Sequence, residues 1–158
     1  MSGNTHSKED RRTAYILVGI QAVLIIGLII FPAGTNWRAT SSVSTAASAL
    51  TIIAAVIGVW AAAYLGRGLT PLPLPNGSTE LVTSGPYRIV RHPIYTAVFI
   101  WAIGSTLGSG NALKIGVLVL LIALFLYKSR WEERQLAASF DGYAAYMERS
   151  GRFLPFVG

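Results

Sequence analysis

Two long stretches without a single charged side chain limit what this chain can become. Ala14 to Phe31 runs for 18 residues and Val43 to Leu65 for 23, both rich in Ala, Ile, Leu and Val. At about 1.5 Å of rise per residue, helices of this length match a hydrocarbon layer roughly 30 Å thick. Only 13% of the 158 residues are charged, against roughly 25% in a soluble domain, so too little polar surface exists to cover such helices in water. The bilayer is the expected solvent and the first expected partner. A cleaved signal peptide fits the first run poorly, because the run exceeds a usual apolar core and no small-residue cleavage pattern follows Pro32-Ala33-Gly34.

Two shorter uncharged runs, Ile94 to Leu107 and Ile115 to Tyr127, flank the turn-forming Gly108-Ser109-Gly110-Asn111. They predict a short helical hairpin whose second arm borrows Ala112, Leu113 and a snorkelling Lys114. The expected fold is therefore all-α, a polytopic transmembrane helical bundle of about four spans. The spans are placed at residues 14–31, 43–65, 94–107 and 112–127. The good helix formers from Lys128 to Ser150 extend the last span or restart as a C-terminal interfacial helix. Residues 1–13 read as a mobile polar tail, and residues 14–158 as one membrane domain. Alternating prolines from Thr70 to Pro75 predict an extended polyproline-like connector, with a chain reversal at Asn76-Gly77.

Charge follows topology. Four spans put both termini on one face, together with Lys8, Arg11, Arg12, Arg67, Arg88, Arg91, Lys128, Arg130, Arg134, Arg149 and Arg152. Only Arg38 and Lys114 fall on the other face. The positive-inside rule makes the crowded face cytoplasmic, in a plasma (inner) membrane with both termini inside. That distribution accounts for the excess of 13 basic over 7 acidic residues, and nucleic acid is not expected as a partner. The uncharged runs hold no ionisable group, which argues against an ion pump or proton-coupled transporter. Two histidines and no cysteine leave no bis-histidine haem, thiolate chemistry or zinc site to expect.

Chemistry is therefore sought at the interface. Leu81-Val82-Thr83-Ser84-Gly85-Pro86-Tyr87-Arg88-Ile89-Val90-Arg91-His92-Pro93-Ile94-Tyr95 ends where the third span begins. Pro93 suits a first helical turn, leaving Arg91 and His92 beside helix-start amides able to hold an anion. The plainer reading makes Arg88 and Arg91 topological charges and Tyr87 and Tyr95 an aromatic belt. Glu132-Glu133, flanked by Arg130 and Arg134, lies just past the last span, and Lys128 is spaced to pair weakly with Glu132 on a solvated helix face. Trp131, Tyr143 and Tyr146 read first as interfacial anchors, and Arg152-Phe153-Leu154-Pro155 as a surface tail.

Taken together, Leu81 to Arg88, Val90-Arg91-His92-Pro93 with Tyr95, and Arg130 with Glu132-Glu133 resemble the isoprenylcysteine carboxyl methyltransferase and phospholipid methyltransferase family. The likeness covers about Leu65 to the C-terminus, with little signal in the first two spans. It implies S-adenosylmethionine held by residues 79–158 without a dinucleotide-binding domain, and methyl transfer to a lipophilic small-molecule or lipid-like acceptor at the cytoplasmic membrane interface. By that resemblance Thr79, Glu80, Leu81, Val82, Tyr87, His92, Pro93, Ile94, Tyr95 and Glu132 line the cofactor site. Arg130 faces the acceptor, and Glu133 becomes the candidate base if the acceptor is an amine or thiol rather than a carboxylate. Ala97 stands where many relatives carry glycine, which bears on a helix contact or on the pocket. The rival enzyme class, the NADPH-dependent membrane sterol reductases, shares the His-Pro-x-Tyr segment but places other residues where Ile94, Ala97 and Val98 stand. A non-catalytic membrane protein is the third reading.

Overall fold

The computed structural model of the chain describes residues 7–70, 72 and 80–157. Five helices follow one another: α1 (Lys8–Ile30), α2 (Ser41–Leu65), α3 (Pro93–Ser109), α4 (Ala112–Ser139) and α5 (Tyr143–Arg149). Short 3-10 turns occupy Gly66–Gly68 and Gly85–Arg88. Among the described residues the only extended pairings are isolated bridges, Val90 with Gly151 and Leu154 with Val157. The all-α expectation holds. The proline-rich connector and its reversal at Asn76-Gly77 fall almost wholly outside the described residues, as does Thr79.

The helix starts follow local chemistry. Ser7 and Asp10 form a capping box, the Ser7 hydroxyl accepting from the Asp10 amide and the Asp10 carboxylate from the Ser7 amide. Helix α1 therefore begins at Lys8, six residues before the uncharged run and inside the stretch expected to be mobile. Thr40 caps α2 by accepting from the Val43 amide at 3.4 Å. Gly110, with φ of 64°, ends α3 in a left-handed conformation. Its missing Cβ also leaves room for the Trp37 carbonyl, which a side chain would approach to 2.6 Å.

Three helices, α1, α2 and α4, are long and apolar enough to cross a membrane. The third expected span, α3, has 17 residues and a length of about 26 Å. It lies along α2, in the most extensive interface of the bundle. There Gly104 and Gly108 face Ala47, and a Cβ on Gly104 would stand 3.0 Å from the Ala47 carbonyl oxygen. Small residues let the two backbones approach closely, as membrane helices commonly do. Ala97 belongs to the same seam: a Cβ on Gly58 would meet Ala97 at 3.7 Å, so Ala97 bears on a helix contact.

The packed interior is small. Leu28, Ala102, Leu121 and Phe125 make one cluster, and Ala14, Leu17 and Trp131 a second. Much of the remaining apolar surface points outward, with Val59 71% and Val23 68% exposed. Such a surface suits lipid rather than water. Trp131, expected as an interfacial anchor, instead joins α4 to α1.

Helix α4 spans 28 residues without a break, about 42 Å, and so overhangs a roughly 30 Å hydrocarbon layer. The first expected alternative is realised: the last span runs on as one helix, and the overhang carries Glu132 and Glu133. The start of α1 is held there as well, by a hydrogen bond from Gln135 to Asp10. The end of α2, the start of α3 and the C-terminal segment meet at this polar end. At the opposite end the loop after α1 is bonded to the hairpin turn through Gly34 to Ser109, Asn36 to Gly110 and Asn111 to Pro32.

Candidate active site

At the polar end, the first turn of α3, the overhang of α4, α5 and residues 80–82 and 85–88 enclose a cavity of about 280 Å³. Every cofactor-site residue expected from the sequence that lies among the described residues lines it: Glu80, Leu81, Val82, Tyr87, His92, Pro93, Ile94, Tyr95 and Glu132. Tertiary packing adds Arg91, Lys128, Tyr143 and Tyr146, and Gln21 from α1.

Glu132 faces the cavity with its side chain 22% exposed, and its Oε2 accepts from the Tyr95 hydroxyl at 2.7 Å. The ring of Tyr95 stacks on His92 at 5.1 Å and on Phe125 at 4.5 Å, so both polar groups are held by flat apolar contact. His92 lies between the two glutamates, its Nδ1 3.8 Å from Glu132 and its Nε2 3.4 Å from Glu133. The second is an ion-pair contact rather than a well-aligned hydrogen bond, and the Tyr143 hydroxyl is buried without a hydrogen-bond partner. Buried polar atoms left unpaired in a cavity wall are groups that a bound ligand can satisfy.

Glu133 has a different setting. It accepts from Arg91 Nε at 2.8 Å and from Arg152 Nη2 at 2.7 Å, with only 6% of its side chain exposed. Arg91 also donates to the carbonyls of Met147 and Ser150. A carboxylate engaged by two guanidiniums is a poor proton acceptor, because protonating it would discard both charge-assisted bonds. The structure thus makes Glu133 a tie between α4, the start of α3 and the C-terminal segment. Arg130 is exposed and absent from the cavity wall. At 100° per residue it projects about 200° away from Lys128, on the face of α4 opposite Lys128 and Glu132.

The C-terminal segment, expected as a surface tail, is part of the site's frame. The Gly151 carbonyl accepts from the Arg91 amide at 2.8 Å and the Arg152 carbonyl from the His92 amide at 3.1 Å. The Thr96 hydroxyl donates to the Phe153 carbonyl at 2.9 Å. The amides of Arg91 and His92 are therefore taken by the chain itself. Gly151 is required sterically, since a Cβ there would lie 1.7 Å from the Leu154 carbonyl oxygen.

The tyrosines expected as interfacial anchors are buried in the cavity wall. Tyr146 donates to the Tyr87 carbonyl at 2.5 Å. Burial pushes its phenol up to about 12, against the partial offsets of Ser150 and Arg91. Tyr87 and Tyr143 are pushed up further, by burial first and then by the nearby glutamates. Lys128 was expected on a solvated face, paired with Glu132. It is buried, donates to Gln21 Oε1, and lies 5.1 Å from the centroid of the Tyr95 ring. No sequence signal separates such a lysine from a topological charge, because the partner is more than a hundred residues away. Among the described residues, no three His, Asp or Glu side chains gather into a metal-binding group.

Comparison with known proteins decides the family. The model of the "Isoprenylcysteine carboxyl methyltransferase (ICMT) family" matches residues 47–138, more than half of the chain. The chain belongs to the ICMT family. The matched segment begins in the first turns of α2, so the second span carries family signal that the sequence reading withheld, while α1, α5 and the C-terminal segment lie outside it. Among similar proteins, the nickel-cobalt-cadmium resistance protein NccN of Alcaligenes xylosoxydans xylosoxydans is 30% identical over 141 residues, covering 86% of this chain and 61% of that protein. The protein-S-isoprenylcysteine O-methyltransferase of Schizosaccharomyces pombe is 37% identical over 88 residues, covering 52% of this chain and 36% of that one. The structure of the eukaryotic intramembrane Ras methyltransferase ICMT matches 99% of this chain and 55% of its own, with a TM-score of 0.65 at 21% identity, so the ICMT fold is shared. The chain thus spans only part of the length of each of these relatives.

Proposed function

We propose that this chain transfers a methyl group from S-adenosylmethionine to a lipophilic acceptor at the cytoplasmic face of the membrane in which its helices sit. The carrying observation is the cavity itself. It sets an acceptor carboxylate, Glu132, the unpaired buried hydroxyl of Tyr143 and aromatic faces beside the apolar belt of the bundle.

The donor set fits the cofactor's chemistry. S-Adenosylmethionine supplies a methyl group on a sulfonium, already activated for displacement, together with an ammonium, a carboxylate, a ribose diol and an adenine face. Glu132 suits the ammonium or the diol, and the Tyr143 hydroxyl suits an anionic or hydroxyl group. Tyr87 and Tyr95 offer flat surfaces for adenine. Positioning and exclusion of water then supply much of the rate enhancement. A carboxylate acceptor needs no base. An amine or thiol acceptor needs one, and Glu132 or His92 are cavity-lining groups of suitable chemistry, whereas Glu133 serves as a structural tie and Arg130 lies outside the cavity. The relatives include a metal resistance protein and an O-methyltransferase, so the acceptor is to be found by experiment on this chain.

The test is calorimetric titration of the detergent-purified full chain with S-adenosylmethionine and, separately, with NADPH. Binding of the first with loss on Glu132→Gln supports the reading. Binding of NADPH alone overturns it in favour of a reductase. Transfer of label from radioactive cofactor to lipids, prenylated thiols or small hydrophobic acids then identifies the acceptor.

A further inference from the structure

Gln21 sits within the uncharged stretch of α1, where an amide is costly unless it is hydrogen-bonded. Its bond is to Lys128, across 107 positions of sequence, and both residues line the cavity. Lys128 stands one turn before Glu132 on α4, a spacing at which lysine and glutamate ordinarily pair. Among the described residues no ion pair joins them. The ammonium is instead directed to the Gln21 carbonyl and lies near the Tyr95 and Phe125 rings, at 5.1 and 5.8 Å from their centroids. Glu132 is left with the Tyr95 hydroxyl as its hydrogen-bond donor and an edge open to the cavity.

We infer that Gln21 is a positioning residue: by holding Lys128 against α1 it keeps an internal cation off Glu132, so that the carboxylate accepts from a cationic group of the ligand. The inference rests on the S-adenosylmethionine reading, whose ammonium is the ligand group concerned. A lysine fixed on the same helix is present at Glu132 at high effective concentration, so an ammonium from solution competes poorly unless the lysine is turned aside. Gln21 turns it aside at little electrostatic cost, since an amide oxygen and two ring faces attract a cation without adding a second negative charge. Helix α1 lies outside the segment that matches the family model.

The decisive experiment compares S-adenosylmethionine affinity by calorimetry for the full chain, Gln21→Leu, Lys128→Met and the double variant, with thermal unfolding followed in parallel. Gln21→Leu frees Lys128 to pair with Glu132 and weakens binding by about tenfold, the loss of roughly one charged hydrogen bond. Lys128→Met binds at least as tightly as the parent, and the double variant returns to the Lys128→Met affinity, because no lysine remains to collapse onto Glu132. A Gln21→Leu chain that binds like the parent, or a double variant as weak as Gln21→Leu, overturns the positioning role. Should Gln21→Leu fail to fold, Lys128→Met decides alone, binding at least as tight as the parent's supporting the role and weaker binding overturning it. A parent chain that does not bind S-adenosylmethionine overturns the methyltransferase reading itself, a result distinguishable from the others.

Discussion

Along the seam between α2 and α3 the bundle is held by absence of bulk, with Gly104 and Gly108 letting one backbone lie against Ala47 of the other. At the polar end it is held by charge, with Glu133 accepting from Arg91 and Arg152 and the C-terminal carbonyls accepting from Arg91, His92 and Thr96. The contrast follows from the solvent. Lipid provides no hydrophobic drive between helices, so close van der Waals packing must hold the seam. The polar end has the ionisable groups and the shelter to build a buried network, and it uses that network to fix a cavity wall made from several separate segments.

The largest expected break in this contrast is Glu133→Ala. It strands two guanidiniums and costs about 3–5 kcal/mol, read as a fall in thermal unfolding temperature in detergent. A fall of under a degree would show that the network is dispensable. Next is Gly104→Val, which sets a branched side chain 3.0 Å from the Ala47 carbonyl and 3.1 Å from Leu50 Cβ. It costs about 1–3 kcal/mol by overpacking, while S-adenosylmethionine affinity in the folded fraction is retained. Glu132→Gln sharpens the distinction between the two adjacent glutamates. It weakens cofactor binding by about tenfold, roughly 1.4 kcal/mol, and leaves the unfolding temperature unchanged.

A smaller effect appears with pH. Tyr146 is raised from 10 to about 12 in the fold, so the folded chain holds that proton more tightly than the unfolded one. Its contribution is fully present below pH 10 and is lost as pH climbs through 12. Unfolding temperature should fall over that window, and Tyr146→Phe should flatten the slope. The smallest effect is expected of Arg130→Ala, within about 0.5 kcal/mol of the parent stability and without change in methyl transfer. Loss of transfer would place a substrate contact on the outer face of α4.

Much of the candidate site was legible because its residues are close in sequence. Glu80 to Tyr95 contribute a near-continuous strip of cavity wall, and Glu132 stands where the last apolar run ends. Glu133 and Arg130 were given chemistry, but neither lines the cavity. Neighbours on a helix point in different directions, so Glu132 faces the cavity, Glu133 faces the arginines and Arg130 faces away. Trp131, Tyr143 and Tyr146 look the same in sequence whether they anchor in headgroups or pack inside.

The sequence by itself determined that the chain is helical and lives in a bilayer, because uncharged runs of 18 and 23 residues have few other stable solutions in so small a chain. It also marked which end would carry the chemistry, since ionisable groups are excluded from hydrocarbon and must collect at the helix ends. Only the tertiary structure decided which of those groups face one another. The bond from Gln21 to Lys128, the enclosure of Glu133 and the capture of the Arg91 and His92 amides by the C-terminal segment all join residues dozens of positions apart. Composition and periodicity carry no information about contacts that are set by how finished helices pack.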